Sequence, residues 1–568
     1  MNRSQILEVA LFIAIVILIS NSVAVSRDYQ DSWILEGLEI PFLLFVTMYT
    51  VTFFSEKRVS RMIALAVIGR LVFLLIPNLK YVWFQGIWID QHQQYALANH
   101  VCSEGYIATQ GLFGVSVYGG TPLIHLTFAI FSIILNIPVV HSIKYLPVLL
   151  SPIYPMLTYL IMKKLKFLQG TTALKYALFL SSMPTIASYV VTGTVLGSIF
   201  VFFILFSLIA LDDDRRYSFV FIFFTSALAA WHTSSSILLS VFLLILLLLQ
   251  KVHFLRLRSY LKPTTVLFAV SISAAWLMFQ ASFTLERIVE VFRSGLLGNP
   301  TPGGEQIPIR FFDLVRIDML EAVKSVFPYY GGDIFMLLFT FVSLLVMLKI
   351  QKKLSDTSNF LFVFESVVLL SMPIGLLLKA GAFRTLHFAR SLFPIFSSIP
   401  IVYLIKRKVW LRPIILLPII LLAPLQFYRC EPLIPSANVL FGDLAASEPI
   451  VYTNLVNSAY QRQMINFAKG HVTGRIVSDR ISRNQIIGLT DFDFALKHID
   501  WSYYYPLDKG KLKRVYDCFL IHLPGISGGF GEKAEMRTRH VILEAIYNSS
   551  VVYTNGESYI LTYSFTQP

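Results

Sequence analysis

Cysteine is almost absent from this chain of 568 residues. Cys102, Cys430 and Cys518 are too few to staple a fold or to build a cysteine metal cluster. Charge is scarce too. Asp, Glu, Lys and Arg make up 14% of the residues, against about 25% in a soluble globule, which excludes a large soluble enzyme. No DNA- or RNA-binding motif is present, so the net charge of +14 is read as the Lys and Arg of cytoplasmic loops that orient a membrane protein, with no nucleic-acid partner. No internal repeat is visible, and Arg70 is the one clear charge in the middle of an apolar run. A secondary transporter or lipid flippase, the alternative reading, usually shows repeats and ionisable or broken helices at mid-membrane.

What is abundant is hydrophobic: 56% of residues, with a mean hydropathy of +0.67. The run from Ile6 to Val25 is long enough to span a bilayer, which takes roughly 20 residues. The sequence after it, SRDYQDSW, lacks a small-x-small cleavage site, so a retained signal anchor is expected. Further spans are expected near 36–55 and 61–77, joined by the basic SEKRVSR. Positive loops stay in the cytoplasm. The N-terminus is then inside and the loop from Pro77 outside. Two apolar runs follow, 121–137 and 142–162; if both crossed, MKKLKF would lie outside against the charge rule. The repair is that 121–137 is an interfacial or re-entrant helix and 142–162 alone spans.

The remaining runs then alternate consistently: 173–190, 194–211, 217–232, 234–250, 264–282, 332–350, 360–379, 388–405 and 410–427. The fold class expected is a polytopic α-helical membrane protein of about thirteen spans, 1–428, with outer loops at 78–141 and 283–331. From about Cys430 the composition changes, and 429–568 is expected to be an extracytoplasmic α/β domain. Strands are expected at 450–453, 475–479 and 518–523, and Asn555-Gly556 sits between two alternating runs as a hairpin turn. Helices are expected over NSAYQRQMINFAKG and EKAEMRTRHVILEAIYN. A Cys430–Cys518 disulfide is permitted on that face. The loops, one short Arg/His-bearing link and this domain thus share one side, where chemistry is expected.

The first long polar interruption, WIDQHQQYALANHVCSEGYI (88–107), carries Asp90 and His92 just past the end of a hydrophobic segment. A charge at the membrane edge is costly unless used or paired. Asp90 suits a general base towards an acceptor hydroxyl; the bland alternative is a solvated residue or a helix N-cap. His92 suits proton transfer or, with Asp90, a divalent metal such as Mg or Mn. Glu104 completes such a site or is plain surface. The Pro/Gly-rich NPTPGGEQ (299–306) is a gating loop or a plain connection. The run Asp212 to Asp214 falls on the cytoplasmic side and reads as a polar turn, and Asn548 heads a weak glycosylation acceptor.

The pattern Asp90, His92, Ala96, Gly105 resembles the first extracytoplasmic loop of GT-C superfamily glycosyltransferases of the archaeal and bacterial type. VYGGTPLIHLTFAIFSIILNIP, with Tyr118, Pro122 and His125, is similar to their juxtamembrane segment, and WHTSSS (231–236) to a His-Pro-x-Thr motif without its proline. The resemblance runs along most of the membrane part. It implies an inverting transfer of a sugar from a polyprenyl-phosphate carrier to a glycan, lipid or protein acceptor on the outer face of the cell membrane, with Asp90 as base. No WWD-type motif is found, since Trp501 is followed by SYYY; this disfavours en bloc transfer to asparagine and favours a single-sugar donor. The donor phosphate calls for a cation, and arginine's planar fork suits it. Arg384, His387 and Arg390 in FRTLHFAR stand at the outer end of a span, as phosphate ligands or as side chains snorkelling to lipid headgroups. His232 and Thr233 line a substrate site or hydrogen-bond between helices. Tyr118 and His125 are weaker substrate-site candidates, since a lone interfacial histidine is usually structural.

Overall fold

The computed structural model describes residues 3–27, 39–80, 90–105, 121–165, 171–183, 193–211, 213–252, 261–282, 285, 289, 336–349, 354–377, 382–407, 467–468, 470–471, 476–478, 518–522, 550–554 and 558–562. Its contacts form two units. The first is Met1–Val82, Lys144–Asn299 and Val323–Ala445; the second is Trp83–Ile143, Pro300–Ala322 and Ala446–Pro568.

In chain order the helices are α1 (Arg3–Arg27), α2 (Glu39–Ser55), α3 (Val59–Lys80), α4 (Asp90–Glu104), α5 (Pro122–Leu135), α6 (Val139–Leu150), α7 (Ile153–Lys164), α8 (Thr171–Ser182) and α9 (Gly193–Ala210). After these come α10 (Tyr217–Trp231), α11 (Thr233–Lys251), α12 (Pro263–Phe279), α13 (Met336–Lys349), α14 (Asp356–Leu377) and α15 (Ala382–Arg407). Gln5–Ser22, Val59–Ile76, Val139–Lys164 and Thr233–Lys251 are long and apolar enough to cross a membrane. Shorter apolar helices cover other expected spans, among them Ile40–Ser55, Tyr217–Trp231 and Pro263–Phe279. This is a helical membrane protein. The expected span at 410–427 lies outside the described residues.

The first unit is packed with aromatic rings. Phe45, Tyr49, Phe53, Phe73 and Phe179 are fully buried and in mutual ring contact. Tyr49 lies flat against Gly69, where an added Cβ would come within 2.5 Å of its ring. Its hydroxyl donates to Ser182 Oγ at 2.7 Å.

Hydrocarbon offers no water to backbone polar groups, so they must find protein partners. The end of α8 shows how. Its last carbonyls have no partner within the helix and carry partial negative charge. Arg70 of α3, buried, donates from Nη1 to Ser181 O and Met183 O, both at 3.0 Å. The guanidinium also lies over the Tyr154 ring, 4.7 Å from its centroid. At the end of α2, Lys175 donates to Phe54 O at 2.9 Å and to Glu56 O. In the α6–α7 span, where Pro147 and Pro152 interrupt the ladder, Ser151 Oγ donates to Val148 O at 2.6 Å. Between α11 and α12, Ser240 Oγ bonds Ala269 O at 3.0 Å and Ser273 Oγ at 2.9 Å, and Ser236 Oγ meets Ser273 Oγ at 2.6 Å. Gln250 closes the same pair, its amide bonding Leu261 O at 3.0 Å and Leu261 N at 2.8 Å.

Arg70 is not the one charge inside the helical frame, contrary to the expectation from sequence. Lys144 of α6 and Glu365 of α14 are buried as well. Averaging over an apolar run hides such residues. Neither carboxylate oxygen of Glu365 has a hydrogen-bond partner among the described residues. Every residue from Phe360 to Phe364 is buried too, so α14 is enclosed on all sides there.

The second unit contains α4, α5 and a four-stranded sheet of order β1-β2-β4-β3. These strands are β1 (Ile476–Ser478), β2 (Cys518–His522), β3 (Ser550–Thr554) and β4 (Ser558–Thr562). β1 runs parallel to β2, with Ile476 opposite Cys518. β2 and β4 are antiparallel, Cys518 opposite Thr562. β3 pairs antiparallel with β4 across Asn555-Gly556, with a register shift between Val551 and Tyr553. Phe467–Ala468 and Gly470–His471 are helical. The expected strand at 450–453, the expected helix near 532–548 and Cys430 lie outside the described residues.

The two buried charges predict opposite outcomes. Arg70→Met strips the cap from α8 and costs about 1–3 kcal/mol, seen as a lower melting temperature in detergent. Glu365→Leu replaces an unpartnered buried acid by an apolar side chain of similar size and is expected to hold or raise that temperature. A loss in Glu365→Leu as large as that in Arg70→Met would show that the carboxyl has a partner in the folded protein.

Candidate functional site

Asp90 is the first residue of α4 and His92 the third. On a helix, residues two apart do not share a face, whereas residues four apart do. By that spacing Gln94, four residues on, is the position one turn along from Asp90. Glu104 ends α4 and is exposed. Fourteen residues of rise separate it from Asp90, about 21 Å, too far for two carboxylates to share an ion with ligand distances of about 2.0–2.6 Å. The expected Asp90, His92 and Glu104 metal set is not assembled. Among the described residues no three His, Cys, Asp or Glu side chains come together in a way that would hold a metal.

α4 packs on α5. Pro122 fits the first turn of α5, where its missing N–H is not needed. Asn136 ends the helix in the left-handed region, φ 50°. There the Ile137 N–H reaches back to Ser132 O at 3.1 Å. The buried side of α5 is Ile124, His125, Phe128, Ala129 and Ser132. His125 thus belongs to a packed face. α5 is 14 residues long, about 21 Å, short of a hydrocarbon core of about 30 Å. Cys102 contacts Ala129 O at 3.8 Å. Burial pushes its thiol up, opposed by a hydrogen bond with Ser132, which makes it a poor nucleophile. Tyr118 lies outside the described residues.

Gln94 was missed by sequence reasoning. It is 1% exposed, and its amide oxygen has no hydrogen-bond partner among the described residues. The signal in the sequence is its spacing of four from Asp90, with nothing to set it apart from Gln91 and Gln93.

The other candidates belong to the first unit. Arg384, His387 and Arg390 occupy the first three turns of α15. The helix rise between the first and the last of them is about 9 Å. His232 is the joint between α10 and α11. Its backbone N–H donates to Leu228 O at 2.8 Å, and its Nδ1 accepts from Ser235 N at 3.2 Å and meets Ser235 Oγ at 2.7 Å. The imidazole takes the place of the usual Ser or Asp helix cap. Thr233 is buried, with Oγ1 donating to Ala229 O at 3.2 Å. WHTSSS therefore has a local structural account, in which Nδ1 of His232 caps the start of α11. Asp213 pairs with Lys164, and Asp214 with Arg216 at 2.7 Å, as a polar turn would.

No family model matches the chain, and no curated protein sequence matches it. Solved structures do. The apo oligosaccharyltransferase of Archaeoglobus fulgidus is similar over 89% of this chain and 74% of its own, at 10% identity and a TM-score of 0.50. The same organism's oligosaccharyltransferase in complex with Zn and sulfate covers 89% and 74%, at 9% identity and a TM-score of 0.52. The chain shares the fold of these two oligosaccharyltransferase structures.

Proposed function

We propose that the chain is a GT-C membrane glycosyltransferase that moves one sugar from a polyprenyl-phosphate carrier to an acceptor on the extracytoplasmic face. The observation that carries this is the fold, shared with an oligosaccharyltransferase over 89% of the chain. The supporting feature is a carboxylate at the start of α4, in the unit that also holds the C-terminal sheet. One of the similar structures is a complex with Zn and sulfate, and sulfate has the tetrahedral shape of the donor phosphate.

The reaction is a single displacement. Asp90 accepts the proton of the acceptor hydroxyl as its oxygen bonds to the anomeric carbon. The bond from that carbon to the phosphate oxygen breaks, and polyprenyl phosphate leaves with the electron pair. One displacement inverts the anomeric centre. Arg384, His387 and Arg390 hold the phosphate and stabilise its growing charge, helped by the positive end of α15. His232 and Thr233, with Tyr118 and His125, line the substrate site. The N-terminus is cytoplasmic, α5 lies in the membrane interface, and the C-terminal domain reads the acceptor.

The test is sugar transfer by the purified protein from a panel of polyprenyl-phosphate hexoses, with membrane extract as acceptor. Asp90→Asn is expected to lower the rate by about a hundredfold or more while the protein stays monodisperse. Transfer that survives the change would move the base elsewhere, with His92 next. No transfer from any donor, together with substrate-dependent flux in liposomes, would make the protein a transporter.

A further inference from the structure

We propose that Gln94 is a sugar-reading residue of the Asp90 site: its amide oxygen accepts a hydrogen bond from a carbohydrate hydroxyl, which orients the sugar beside the base. The proposal rests on the glycosyl-transfer reading.

Three observations converge on it. The first is place: Gln94 is four residues, about one turn, on from Asp90 in α4. Helical side chains lean back towards the N-terminus, so residue 94 covers the turn that Asp90 opens. The second is chemistry. A buried carbonyl oxygen needs a donor, and nearly all such oxygens in folded proteins have one. The oxygen of Gln94 is buried and has none among the described residues. The third is contrast within the same helix pair. α4 and α5 bury mainly apolar groups, Ala96, Leu97, Ala98 and Val101 on one helix and Ile124 and Phe128 on the other, beside the polar His100, His125 and Ser132. A leucine at 94 would suit that packing, so the amide is not explained by the fold.

The missing group is an O–H or N–H donor. The substrates of the proposed reaction offer hydroxyls on the sugar to be transferred and on a glycan acceptor. A hydroxyl held by an amide oxygen one turn from the base fixes the ring's orientation, and a short hydrogen bond in a desolvated site is where such positioning has most effect. No bond to the sugar forms or breaks at Gln94. Its role is binding.

The experiment compares wild type with Gln94→Leu and Gln94→Asn, the second withdrawing the amide by one carbon. The readouts are melting temperature in detergent, and kcat and KM for each hexose donor that wild type uses, its mono-deoxy counterparts, and the acceptor. The expected result has two parts. Gln94→Leu melts no lower than wild type, because it removes an unsatisfied buried group. It raises KM about tenfold for the substrate carrying the hydroxyl, the value of one hydrogen bond, and no longer discriminates against one mono-deoxy analogue that wild type rejects. A change in donor KM places the hydroxyl on the donor sugar; a change in acceptor KM places it on the acceptor. Unchanged KM for both substrates overturns the proposal and leaves the glycosyltransferase standing. A lower melting temperature with unchanged discrimination overturns it as well, showing that a bound water satisfies the amide. If Gln94→Leu does not fold, Gln94→Asn decides by the same criteria. Absence of transfer by wild type overturns the underlying reading, and this inference with it.

Discussion

A chain that folds in hydrocarbon has to satisfy its own backbone, and the internal polar contacts of the helical frame answer to that constraint. Where α8 ends inside the bundle, a guanidinium from α3 takes its carbonyls. The end of α2 has an ammonium. The broken span of α6 and α7 has a serine. The α10–α11 joint has an imidazole. A glutamine amide grips both backbone groups of Leu261. These side chains differ in chemistry, but each stands where a helix stops, starts or breaks. Helix interiors need no such help, and there the packing is done by Phe, Leu and small residues.

The same constraint separates what was legible in the sequence from what was not. Helix positions were readable because a bilayer demands long apolar runs, and such runs leave a signal tens of residues wide. The pairing of β3 with β4 was readable for a different reason: Asn-Gly between two alternating runs is a strong hairpin signal. The role of Arg70 was not readable. One mid-span arginine makes no pathway, and what it does instead is seen only at the end of α8, more than a hundred residues away in sequence. His232 was ambiguous because an imidazole can cap a helix as well as meet a ligand, and only the neighbouring Ser235 N–H shows that Nδ1 is a cap. The pairing of Asp90 with Glu104 failed on simple geometry. Residues close in a polar stretch of sequence become distant once that stretch is a straight helix, while Gln94, passed over as one of several glutamines, becomes a neighbour.

Pairing is also a way to sort polar residues by cause. A buried polar group that completes a helix end is explained by the fold, and its presence says nothing about chemistry. One that completes nothing costs stability, and natural chains tend to keep such costs where function requires them. Hydroxyls are weak evidence here. The side chains of Ser343 and Ser391 have no partner among the described residues, but a small rotation brings a helical serine onto a carbonyl of its own preceding turn. Amides and carboxylates are longer and less easily satisfied. Among the described residues, the side chains of this kind with no hydrogen-bond partner for an oxygen include Gln94 in the second unit and Glu365 in the first. They differ in what surrounds them. Glu365 lies deep in an enclosed helix with no candidate group within a turn of it in sequence, so nothing beside it suggests a ligand. Gln94 lies one turn from the residue whose chemistry, place and resemblance all point to a base. An unsatisfied group next to a candidate catalytic one is better explained by a substrate than by a defect, because a substrate accounts for both at once.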